Sequence, residues 1–111
     1  MTRTFIQTLE FTKRWEEIGF EDNDLRRLEL ELLKNPKVGA VIKGTGKLRK
    51  MRFALTNRSK QESVRVCYVD FTEQMTIYLI TVYPKSKKDN LNKEECNKIK
   101  KMIELLEESL N

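Results

Sequence analysis

Three β-patterned segments follow one another in the second half of this chain, and the links between them leave little choice of architecture. Residues 47–55, 63–71 and 75–83 are rich in β-branched and aromatic side chains or alternate in polarity, which predicts a strand in each. A polar loop, 56–62, and a short turn, Thr72-Glu73-Gln74, join them. Connections of this length favour antiparallel neighbours, because parallel strands need a long crossover. Met75 to Tyr83 is the most apolar of the three and is expected to lie inside the sheet.

The first of these strands is unusual. Lys47-Leu48-Arg49-Lys50-Met51-Arg52-Phe53-Ala54-Leu55 carries four cations in its first six residues. Strand side chains alternate between faces. Met51, Phe53 and Leu55 are therefore expected on a core, with Arg49 on their side. Lys50 and Arg52 project together from the opposite face. The bland reading is a solvated basic strand, and the sharper one is a surface for a polyanion.

The first half reads as a strand and two helices. Thr4 to Glu10 is β-rich, and Phe11, Trp15 and Ile18 recur at helical spacing. Gly19 ends that helix, and Asp22 or Asn23 is expected to cap the next one. Leu25, Leu28 and Leu32 form its apolar stripe, and Asn35-Pro36 stops it. Val38 to Gly46 reads as a connection. Its Lys43-Gly44-Thr45-Gly46-Lys47 end lacks P-loop spacing and predicts a turn feeding a strand. Pro84 to Asn90 holds Lys85, Lys87 and Lys88. A last helix is expected from Asn92, with Glu95 completing a capping box, and Cys96, Ile99, Ile103, Leu106 and Leu110 form its apolar seam. The order β-α-α-β-β-β-α is an α+β fold: a mostly antiparallel sheet, an N-terminal helical hairpin and a C-terminal helix. A chain of 111 residues with no repeat or visible boundary is expected to form one domain, 1–111.

Charge is unevenly distributed. Between Lys34 and Lys60 there are cations, Arg58 among them, and no acidic residue, whereas Glu10 to Glu31 is predominantly acidic. The net charge of +5 fits an anionic partner. No stretch is apolar and long enough to span a bilayer, and the first residues lack a secretory h-region, so no membrane association is expected. Cys67 and Cys96 are too few for a disulfide framework and lack metal-ligand spacing, which predicts buried thiols in a cytoplasmic protein.

There is no histidine. Imidazole-based hydrolases and nucleases are excluded, and the carboxylates sit in the helices, away from any phosphate site a magnesium nuclease would need. No metal or other cofactor is expected. Lysine, arginine and tyrosine remain. Cleavage of RNA by its own 2′-hydroxyl needs a base, a stabiliser for the crowded phosphate and an acid for the leaving group. The guanidinium fork suits the second role. A lysine crowded by cations, as Lys50 is by Lys47, Arg49 and Arg52, gives up its proton more readily.

The segments Gly44-Thr-Gly-Lys-Leu-Arg-Lys-Met-Arg-Phe53, Ser63-Val-Arg-Val-Cys-Tyr68, Tyr78-Leu-Ile-Thr-Val-Tyr-Pro-Lys85 and Lys87-Lys-Asp-Asn-Leu91 follow one another in an order that resembles the RelE/HigB-type toxins of bacterial type II toxin–antitoxin systems. Leu33-Lys-Asn-Pro-Lys-Val-Gly39 is similar to the HigB-like branch. The resemblance covers nearly the whole chain. It implies a RelE-like α+β fold and a metal-independent endoribonuclease that cleaves mRNA on the ribosome. It implies catalytic roles for Lys50, Arg52, Arg65 and Lys85, and RNA contacts from Lys47, Arg49, Tyr68, Tyr83, Lys87 and Lys88. It also implies ribosomal RNA as a contact and a cognate HigA-like antitoxin with a DNA-binding domain. The chain departs from some relatives in ending on a long helix without a C-terminal tyrosine, which leaves Tyr83 as the nearby substitute. In an ideal strand Tyr68 and Arg65 face opposite ways unless a bulge intervenes. Two other functions fit the same residues: a ParE-like inhibitor of gyrase with no enzymatic activity, and a basic RNA-binding module.

Overall fold

The computed structural model describes residues 2–54, 63–88 and 90–111. Within them the elements are β1 (Thr4–Gln7), α1 (Leu9–Ile18), α2 (Asp22–Lys34), β2 (Ala40–Val41), β3 (Arg49–Phe53), β4 (Val64–Phe71), β5 (Thr76–Pro84) and α3 (Lys93–Leu110). The α+β class and the order of the long elements are those expected from the sequence. Leu55, the 56–62 loop, Arg58 and Lys60 lie outside the described residues.

The sheet has the order β1-β5-β4-β3-β2. Its strands are antiparallel except for β1, which pairs parallel with β5. The apolar β5 is an interior strand, as its composition predicts. Residues 40–41, expected within a connection, form the strand β2. Ala40 and Val41 pair with Lys50 and Arg49, a ladder too short to leave a pattern in the sequence.

Strand alternation divides the sheet's apolar side chains between two cores. Met51, Phe53, Val64, Val66, Tyr68, Ile77, Leu79 and Val82 face α1 and α2, meeting Phe11, Trp15, Leu28 and Leu32. Leu48, Cys67, Val69, Phe71, Ile80 and Tyr83 face α3 and meet Ile99 and Ile103. The seam of α3 is thus covered within the chain itself. Trp15 is a core anchor, its ring centroid 5.4 Å from Phe11 and 4.3 Å from Phe20.

Helix boundaries follow from capping. The sequence reading extended β1 to Glu10, yet α1 already begins at Leu9, because the Thr8 hydroxyl accepts from the Phe11 N–H at 3.0 Å. Gly19, at φ 96°, closes α1 in the left-handed conformation that a side chain would resist. The cap of α2 falls at Glu21, one residue before the expected position, since its N–H donates to the Asp24 carboxylate at 2.9 Å. Asn92 caps α3 in a reciprocal box with Glu95, as predicted. The Gly44-Thr45-Gly46 segment is a turn: the Thr45 hydroxyl donates to the Ile42 carbonyl at 2.7 Å and accepts from the Leu48 N–H at 3.2 Å, leading the chain into β3.

Candidate phosphate site

The register of the sheet sets out one row of side chains. Arg52 of β3 pairs with Arg65 of β4, and Arg65 pairs with Tyr83 of β5. Arg52 lies between Met51 and Phe53, and Arg65 between Val64 and Val66, all four of which belong to the α1/α2 core. Both arginines therefore project from the α3 face, beside Tyr83, which is part of the α3 core. Directly opposed residues on neighbouring strands bring their Cβ atoms within about 5 Å.

Tyr83 reaches this face through a bulge. Cys67 pairs with Thr81 but Tyr68 pairs with Leu79, so Ile80 is an extra residue in β5. Before the bulge the odd positions Ile77 and Leu79 face α1; after it the even position Val82 does. The phase change turns Tyr83 towards Arg65. Nothing in Leu79-Ile80-Thr81-Val82 announces it, since all four side chains suit either face.

The remaining candidates fall into three groups. Lys50 shares the α3 face one step along β3, and its Nζ donates to Asn90 Oδ1 at 2.8 Å. Lys85, exposed, follows β5 immediately, its N–H bonded to the Ser63 carbonyl at 3.4 Å. Lys88 stands 5.2 Å from the Tyr83 ring centroid and pairs with Glu95. That hydrogen bond, followed by the Asn92 N–H, holds the Glu95 carboxyl below its ordinary range. Lys87 lines a cavity of about 510 Å³ together with Arg14, Glu17 and Tyr83. These four residues border the row.

Lys47 does not. It precedes β3 by two residues and pairs with Glu107 near the end of α3. Arg49 and Tyr68 are turned to the opposite face, and the RNA contacts expected of them give way to a structural task. The buried Tyr68 hydroxyl donates to the Pro36 carbonyl at 2.8 Å and accepts from the Gly39 N–H at 3.0 Å. Arg49 donates to the Gly39 carbonyl at 2.7 Å. Together they clamp residues 36–39 onto the sheet. The bulge lies in β5 rather than β4, so Tyr68 keeps the parity of a regular strand. Burial pushes its phenol above the ordinary value.

Tyr83, although correctly directed, is only 2% exposed. It hydrogen-bonds the Cys67 thiol, which burial pushes up to about 12. It is a floor beneath the arginines, not a surface group. Asn90 and Glu95 contact Lys50 and Lys88, a role the sequence does not announce: Glu95 stands in it as half of a capping box and Asn90 only within the Lys87–Leu91 motif. Arg52 is exposed, and Lys50 and Arg65 are half-buried.

Chemically, two guanidinium groups side by side can grip the non-bridging oxygens of one phosphodiester. Like charges directly opposed on a sheet repel each other, and an anion held between them relieves that repulsion. Among the described residues no three His, Cys, Asp or Glu side chains converge where they could hold a metal ion.

A five-stranded α+β sheet with a basic row on the face shared with its C-terminal helix defines the class of protein. No protein-family model matches the chain. Among solved structures it is similar to the E. coli toxin RelE, in a double arginine-to-alanine mutant in the free state, at 17% identity over 80% of this chain and 90% of that one, with a TM-score of 0.55. The same mutant in complex with an antitoxin RelBc peptide gives 17% identity, 82% and 100% coverage and a TM-score of 0.53. The intact E. coli RelBE toxin–antitoxin complex gives 15%, 73%, 94% and 0.53. The fold of this chain is the RelE-like fold.

Proposed function

We propose that the chain is the toxin of a type II toxin–antitoxin pair, a metal-independent endoribonuclease that cleaves mRNA on the ribosome in the cytoplasm and so stops translation. The observation that carries this reading is the opposed pair Arg52 and Arg65 on the α3 face. The RelE-like fold and the HigB-like sequence motifs support it.

In the proposed reaction a 2′-oxygen of the RNA attacks the adjacent phosphorus and the bond from phosphorus to the 5′-oxygen breaks. The products are a 2′,3′-cyclic phosphate and a 5′-hydroxyl. One proton leaves the 2′-hydroxyl and one reaches the departing oxygen. Arg65 and Arg52 hold the phosphate as its charge grows. Lys50, steadied by Asn90, takes the role of base or second stabiliser. Lys85 serves the leaving side, while Lys87 and Lys88 meet mRNA or ribosomal RNA. The neighbouring RelE structures with RelB and its peptide support an antitoxin partner. The HigB-like motifs make that partner HigA-like, with a DNA-binding domain.

Arg65→Ala is expected to stay folded, since the side chain is half-buried and outside both apolar clusters. It should lose mRNA cleavage in a translating extract by about 10²–10³-fold, and growth arrest with it. Full toxicity in this variant would sink the assignment. Arrest of DNA replication before translation would favour a gyrase inhibitor. Salt-sensitive RNA binding without cleavage on added translating ribosomes would leave a binding module.

A further inference from the structure

Between the first turn of α1 and α3 runs a groove of about 400 Å³, well within the range of pockets that seat small ligands or anchoring side chains. Ile80, Leu91 and Ile99 line it, and Leu9 and Met102 form its lips. Leu9 is 91% exposed, Met102 38% and Leu105, further along α3, 67%. Bare leucine at the first position of a helix wastes a place where an acidic side chain would suit the helix dipole. Contiguous apolar exposure of this kind marks an interaction surface.

Charge distinguishes this groove from the basic row. Each cation on its rim has an acidic partner: Arg14 with Glu10 at 3.6 Å, Lys98 with Glu94 at 3.7 Å, and Lys88 with Glu95. A polyanion gains little from a neutralised rim, whereas an apolar peptide meets no unpaired charge on it. The groove also shares a wall with the phosphate site, because Tyr83 and Lys88 line it and Tyr83 pairs with Arg65.

We propose that this groove is where the antitoxin docks, through a short segment carrying leucine- or phenylalanine-sized side chains. An occupant there presses on the Tyr83–Lys88 wall, so inhibition is exerted from the side of the site and needs no acidic segment laid across Arg52 and Arg65. The inference rests on the toxin reading above.

The test uses the full chain and its cognate antitoxin. Leu9→Glu and Met102→Glu, both at exposed positions, are made in the active chain for growth assays and in an Arg65→Ala background for calorimetry. Both variants should arrest growth like the parent, resist rescue by co-expressed antitoxin, and bind purified antitoxin at least tenfold more weakly. Unchanged affinity, or a parent chain that does not bind the antitoxin, overturns the proposal. So does loss of growth arrest in variants with parental thermal melting, which would give the groove to the ribosome. A change from dimer to monomer in sedimentation, with antitoxin affinity intact, would assign it to a second copy. A parent chain that fails to arrest growth refutes the toxin reading alone, and the affinity comparison still decides the groove.

Discussion

Arg52 and Arg65 oppose each other across β3 and β4, an arrangement a sheet accepts only at a cost. Arg52→Thr, which keeps a strand-forming side chain, is expected to raise the stability of the free protein by about 0.2–1 kcal/mol. The same substitution should slow mRNA cleavage at least tenfold, the opposite sign on function that marks a functional strain. Thermal melting and a cleavage assay on one preparation give both numbers, and a variant that is less stable yet equally active contradicts the site. At this scale alternation was enough to place Lys50 and Arg52, because their apolar neighbours Met51 and Phe53 fix the pleat. It could not tell that Arg49 and Tyr68 are spent on the backbone of residues 36–39, since their partners are main-chain groups with no sequence signature.

Among the elements, the segment before β2 and the start of α3 carry the sharpest expectations. A Cβ on Gly39 would come within 2.8 Å of the Lys50 carbonyl oxygen and 3.1 Å of the Tyr68 ring. Gly39→Ala should therefore cost about 1–3 kcal/mol by overpacking. Tyr68→Phe should cost about 1–3 kcal/mol, because it leaves the buried Gly39 N–H without an acceptor. Urea unfolding checks both. Glu95, held first by the Lys88 ammonium and then by the Asn92 N–H of the α3 capping box, gives a pH dependence. The Glu95 carboxyl titrates below the ordinary value of 4.5 when folded, so its contribution is complete above that value and is lost as pH falls through the lower, folded one. Compared with Glu95→Gln, the parent should hold a stability advantage at neutral pH that vanishes in acid; an advantage that persists in acid rules the mechanism out. The order of the long elements was legible because each has a clean period and a stop signal. Two features were not: β2, with two residues, and the parallel seat of β1 on β5, which joins segments that local pattern cannot relate.

For the whole molecule, the layers separate charge. The acidic side chains of α1 and α2 lie over one face of the sheet, and Lys50, Arg52 and Arg65 occupy the other. A net charge of +5 distributed in this way turns the basic face towards a polyanion during approach. Binding of an uncleavable single-stranded RNA should weaken by about 0.7 decade per decade of salt for each phosphate neutralised, and Arg52→Ala should reduce that slope by about 0.7. Titrations across a salt series measure it, and an unaltered slope would place Arg52 outside the interface. The asymmetry itself was visible in the sequence as an acidic first third and a basic middle. Its three-dimensional meaning depended on which face each helix covers.

The extra residue in β5 makes that strand two half-strands out of phase. Residues 76–79 seat β1, and beyond the extra residue Tyr83 meets Arg65, while Val82 still faces the α1/α2 core. The bulge lies between the half that seats β1 and the half that carries Tyr83, and absorbs the one-residue offset between their alternations. Removing Ile80 would therefore close the bulge without re-aiming anything: Leu79 would run straight into Thr81, already opposite Cys67, and Val82 and Tyr83 would keep their places beside Val66 and Arg65.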